Sequence, residues 1–143
     1  MKLTAGQRSG VMVRIEFARG ELADLAEYGD LNWIVYQSNA KSRRNVERIA
    51  ENVANATIDI AKILLAAAGS EVPETYRDVL VATVPAGLAD ESQVPDLIRL
   101  AQLRNRLSHR YLDYKWELIR WFLECGQQAV SIWLDRCERA VSL

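Results

Sequence analysis

The chain has 143 residues, 50% of them apolar and 26% charged, with seven Gly and three Pro. That is the length and composition of one domain with a core of its own, and it excludes disordered, collagenous and disulfide-scaffold classes. Eighteen basic against nineteen acidic side chains leave a net charge of −1, so the molecule as a whole exerts no net pull on nucleic acid.

The longest run without a polar side chain, Ile63 to Gly69, falls far short of the roughly 20 residues a spanning helix needs. The first ten residues offer no apolar core for export, and the expected location is cytoplasmic. In that reducing setting Cys125 and Cys137 are expected to be buried or idle thiols rather than a disulfide or zinc ribbon. A single histidine, His109, excludes multi-His metal centres. No metal and no cofactor is expected. Fourteen Arg against four Lys are compatible with phosphate handling, because the guanidinium fork pairs bidentately with phosphate.

In chain order, residues 1–11 are expected to form a flexible extension, because Gly6, Ser9 and Gly10 interrupt any pattern. The ordered domain then runs over 12–143. From about Glu16 to Gln37 the apolar set Leu22, Leu25, Ala26, Leu31, Ile34 and Val35 suits one long or broken helix, with Gly29 its weak point. Ser42 is placed to cap a second helix. Val46, Ile49, Val53, Ala56, Ile60 and Ile63 recur along it at three- and four-residue steps until Gly69 stops it. Pro73 opens a short helix to Ala82, followed by a turn over Pro85 to Asp90. A fourth helix is expected from about Pro95 to Tyr111. Asp113 then caps a fifth that carries Leu118, Trp121, Phe122, Cys125, Ala129 and Ile132 towards the C-terminus. No strand pattern or repeat interrupts this, so the expected fold is all-α: a bundle of four long helices and one short helix.

Leu97 to Leu112 holds four Arg, one His and no acid. On an ideal helix at about 100° per residue, Leu100, Leu103, Leu107 and Tyr111 form a core stripe, and Arg99, Arg106 and Arg110 form a basic stripe beside it. Asn105 and His109 share a third face. Arg104 falls at the edge of the apolar stripe, where a buried charge needs a partner. A basic stripe is most often a solvated face, and a lone His near a helix C-terminus is often only a dipole partner. Here an Arg stands five residues before the sole His and a Tyr two after it, and that combination of spacings is what singles the segment out.

In Arg104-Asn105-Arg106-Leu107-Ser108-His109-Arg110-Tyr111 the chain resembles the HEPN superfamily, and within it the HepT-like ribonuclease toxins, whose hallmark is Arg, four residues, His, any residue, Tyr. The resemblance extends through Leu22-Ala-Asp-Leu-Ala-Glu-Tyr28, Val46-Glu-Arg-Ile-Ala-Glu-Asn-Val-Ala-Asn-Ala-Thr-Ile-Asp59 and Pro73-Glu-Thr-Tyr-Arg-Asp78. It covers the chain from about Met12 onward, with a shorter stretch than the family usually has between Tyr111 and the fifth helix. It implies a C2 homodimer whose motif helices meet in one cleft that cuts RNA without metal. It also implies a nucleotidyltransferase antitoxin as partner, which attaches AMP to the motif tyrosine, here Tyr111.

The residue types suit that chemistry. Metal-free RNA cleavage uses the 2′-hydroxyl as nucleophile, so a proton must leave it, another must reach the departing 5′-oxygen, and charge on the phosphate must be neutralised. His109 is the natural acid or base near neutral pH. Arg104 is expected to hold the phosphate, Asn105 to orient His109 or the RNA, and Tyr111 to hold the phosphate or the histidine. A single histidine does not readily serve as base and acid at once, which points to two motifs in one dimeric cleft. Arg99, Arg106 and Arg110, with Lys41, Arg43 and Arg44, are candidates for RNA backbone contacts. Two other readings stay open. One is a non-catalytic adaptor that docks to a nucleotidyltransferase and binds nucleotide. The other is a dimerisation bundle built on Trp116, Trp121 and Trp133, tryptophans that are read here as core or interface.

Overall fold

The computed structural model describes residues 1–142. Every regular element among them is helical, and no strand is present. Helix α1 (Ala5–Asp24) opens on a capping box, in which Thr4 accepts from the Gln7 N–H while the Gln7 side chain accepts from the Thr4 N–H. It therefore starts seven residues ahead of the expected Met12, and Val11, placed by the sequence reading at the end of a loose extension, is fully buried. Glycines at 6 and 10 weaken a helix by only about 1 kcal/mol each. The cap and the burial of Val11, Ile15 and Ala18 outweigh that.

The long first helix breaks where Gly29 suggested. A 3-10 turn (Leu25–Tyr28) leads through Gly29 and Asp30 to the short α2 (Trp33–Ser38), capped by Asn32. Helix α3 (Ala40–Ala67) is 28 residues long and ends before Gly69, whose φ of +74° is the left-handed turn that favours glycine. Its cap is Asn39, whose side chain accepts from the Ser42 N–H, and not Ser42 itself. The apolar stripe of α3 is flanked by Ala50, Ala54 and Ala61, so it is buried on more than one side and forms the centre of the molecule.

Helix α4 (Tyr76–Ala82) is capped by Thr75 and starts three residues beyond Pro73. Helix α5 (Val94–Arg106) follows a 3-10 turn (Glu91–Gln93), with Pro95 in its first turn as expected. Helix α6 (Leu112–Trp121) passes through a π-helical turn (Phe122–Gly126) into α7 (Gln127–Ser142), so the fifth expected helix is one element with an interruption. Asp113 lies inside its first turn, and Tyr111 occupies the cap position.

Around α3 pack α1 along most of its length, α5 and α4 on another side, and α2 and α6 near its N-terminal half. Helix α7 closes on α1, where Arg19 pairs with Asp135 and Glu138. Trp133, Phe122, Tyr36 and Leu100 are among the largest fully buried side chains, and each large apolar side chain so buried is worth about 1.5–3 kcal/mol. No helix among the described residues is long and apolar enough to cross a membrane.

Candidate functional site

The motif does not lie on one helix. Helix α5 ends at Arg106 with Leu107 as its C-cap, and the His109 N–H closes a tight turn on the Arg106 carbonyl at 2.9 Å. Ser108 Oγ donates to the Asn105 carbonyl at 2.9 Å, a local bond by which a serine competes with the helical ladder. Tyr111 is extended (φ −78°, ψ 118°) and starts α6. The expected helix to Tyr111 is therefore corrected by five residues. With it go the shared face of Asn105 and His109 and the continuous Arg99, Arg106, Arg110 stripe. Tyr111, assigned to the core stripe, is 73% exposed.

Arg104, in the last turn of α5, has the partners its position demanded. Nε donates to Asn55 Oδ1 at 2.6 Å, the guanidinium lies 5.6 Å from the Tyr76 ring centroid, and one terminal nitrogen stands 3.9 Å from Glu51 Oε1. Glu51 and Asn55 are one turn apart on α3 and share a face. The neutral amide takes only Nε, so both terminal nitrogens stay available to an incoming anion, opposed only by the long contact to Glu51.

His109 is exposed in the loop, its ring edge-on to Tyr114 with centroids 5.0 Å apart. Tyr114 also carries the Arg106 guanidinium 4.6 Å from its centroid. Arg106 donates to the Tyr114 carbonyl and the Glu117 carboxylate, both at 3.3 Å, so it ties the loop to α6. No hydrogen bond or ion pair joins Arg104 to His109. One turns towards α3 and α4, the other towards α6. The side chains of Asn105 and Tyr111 face solvent.

The other candidate cations are sorted by their partners. Arg43 donates to the carbonyls of Tyr36 and Gln37 and so caps the end of α2. Arg99 stands 3.7 Å from Asp96. Lys41, Arg44 and Arg110 are exposed and have no ion pair among the described residues. Among the described residues no three His, Cys, Asp or Glu side chains converge as metal ligands.

Sequence reasoning missed Asn55, Tyr76 and Tyr114, which hold Arg104, Arg106 and His109. It also missed a polar triad centred on the partly buried Glu47. Glu47 accepts from Lys115 Nζ at 2.8 Å and from the Tyr36 hydroxyl at 2.7 Å, joining α3, α6 and α2. Burial and then the Glu47 carboxylate push the Tyr36 phenol well above its ordinary range. The available signal was Asn55 standing between Ala54 and Ala56, one turn past Glu51 on the same face of α3.

The bundle presents Arg104 in the last turn of one helix, His109 in the loop that follows and Tyr111 at the cap of the next. Residues 19–127, from the second half of α1 through the motif to the start of α7, match the protein family described as Ribonuclease HepT-like. The chain belongs to that family of HEPN-type ribonucleases. No curated protein matches it in sequence.

Proposed function

We propose that the chain is a metal-independent endoribonuclease toxin of a toxin–antitoxin pair, with RNA cleaved at Arg104, Asn105, His109 and Tyr111. The observation that carries this reading is the motif spacing in a family-matched bundle, with His109 and Tyr111 solvent-facing and Arg104 hydrogen-bonded only through its Nε. Arg104 binds the scissile phosphate and stabilises its developing charge. His109 moves the proton of the 2′-hydroxyl or supplies one to the 5′-oxygen, a role that typically contributes ~10²–10⁴-fold. Asn105 and Tyr111 orient the substrate.

Because Arg104 and His109 diverge within one chain, a second copy that faces the first completes the cleft and supplies the second imidazole. The partner in the cell is a nucleotidyltransferase antitoxin that attaches AMP to Tyr111. The added charge and bulk repel RNA phosphate from the site. Intact-mass analysis after co-expression with that partner checks it, and an unmodified Tyr111 removes this part of the proposal.

The deciding experiment compares RNA cleavage by the wild-type chain and His109→Ala, with sedimentation of both. Cleavage by a wild-type dimer that falls at least 100-fold in the variant is the expected result. Cleavage by a wild-type monomer sinks the shared cleft. Equal or absent cleavage in both moves the assignment to an adaptor that docks on a nucleotidyltransferase.

A further inference from the structure

Beside the motif loop lies an open groove of about 360 Å³ lined by Arg44, Asn45, Glu47, Arg48, Glu51 and Leu107. One wall is the N-terminal half of α3, and the other is the first residue past α5. The two ends of the lining touch the candidate site directly. Leu107 precedes His109 by two residues, and Glu51 stands 3.9 Å from Arg104.

The charged side chains of the groove differ in their partners. Both oxygens of Glu47 are occupied, one by Lys115 and one by Tyr36, while Glu51 keeps only a 3.9 Å contact to Arg104. Arg44 and Arg48 are exposed and have no hydrogen-bond or ion-pair partner among the described residues, so the groove presents two unpaired guanidinium groups. Four residues apart, they project from one face of α3 about 6 Å from each other along the helix axis. They form a short cationic pair on the face of α3 that also carries Glu51 and Asn55, the two residues that contact Arg104.

Resting on the ribonuclease reading, we propose that this groove binds the backbone of the RNA strand next to the scissile phosphate, with Arg44 and Arg48 as its phosphate contacts. The ligand class is single-stranded RNA. A flexible single strand can lay its phosphates along closely spaced cations on a helix face. Glu51 screens Arg104 in the free protein, and the arriving phosphate replaces it.

The test measures binding of a short 2′-O-methyl single-stranded RNA, which lacks the nucleophile, across a salt series. Wild type is compared with Arg44→Ala, Arg48→Ala, the double variant and the charge-preserving Arg48→Lys, with Arg139→Ala as a distant control on α7. Each alanine is expected to weaken binding about 3- to 10-fold at low salt and to reduce the slope of log affinity against log salt by about 0.7. The KM for RNA cleavage rises by a similar factor. Arg48→Lys keeps the slope, and Arg139→Ala changes nothing. If the wild type cleaves RNA but the double variant keeps its slope and KM, the groove assignment is overturned while the ribonuclease reading stands. If the wild type neither binds nor cleaves, both fall. Loss of affinity for a protein partner alone, with RNA binding unchanged, also overturns the groove assignment.

Discussion

Asn55 shows how one neutral side chain sets the reach of the cation proposed to hold the scissile phosphate. A carboxylate at that position would satisfy Arg104 and hold it back from phosphate, whereas the amide fixes Nε and leaves the terminal nitrogens opposed only by the long contact to Glu51. Hydrogen bonds to charged groups contribute about 1.5–3 kcal/mol. Asn55→Ala is therefore expected to lower kcat/KM for RNA roughly 10- to 100-fold while the helical circular-dichroism signal stays unchanged. A variant with wild-type kinetics would remove Asn55 from this role. Arg104 itself was legible from its five-residue spacing to the only histidine. Its partners were not, because Asn55 lies 49 positions away and no local pattern links the two.

Among the helices, the last expected one is interrupted at Phe122–Gly126 by a π-helical turn. A Cβ at Gly126 would lie 2.8 Å from two ring atoms of Trp121 and 3.1 Å from a third. That indole is half-buried and packs beside Phe122, so any shift it makes to admit the methyl disturbs that packing. Gly126→Ala gains about 1 kcal/mol of helix propensity, but overpacking costs about 1–3 kcal/mol. The expected net effect is destabilisation by up to about 2 kcal/mol, seen as a lower urea midpoint at constant m-value. Helix existence was legible throughout, since three- and four-residue apolar steps are a local property. The ends were less so. Helix α5 stops at Arg106 without glycine or proline, through the Ser108 bond and the stacking of Arg106 on Tyr114, and the second of these is a tertiary contact.

At the scale of the whole molecule, burial divides the two thiols and sets the response to base. Cys125 is exposed, and Cys137 is buried with its pKa pushed up to about 12, chiefly by burial. The native chain is expected to react with a thiol reagent at one site and the denatured chain at two. Tyr36, also raised, adds to the same linkage. Below about pH 7.5 both groups stay protonated in the folded and unfolded chains, and their contribution to stability is fully present. As pH rises further the unfolded chain releases these protons while the folded one retains them, so stability falls. Thermal midpoints that drop progressively above about pH 9 are the expected outcome. A flat profile to pH 11 would contradict the burial of these groups.

Class and motif are properties of the chain itself. Helical periodicity needs only neighbours three and four apart, and the Arg104, His109, Tyr111 spacing is written in one dimension, so both were readable from the residues alone. Tertiary structure decided where the motif helix ends, that Tyr111 faces solvent, that Asn55, Tyr76 and Tyr114 hold the motif side chains, and that Glu47 is paired with Lys115 in the wall of a groove where Arg44 and Arg48 have no partner. These outcomes depend on which distant side chains meet across helix faces. Periodicity identifies a buried face without naming the residue opposite it.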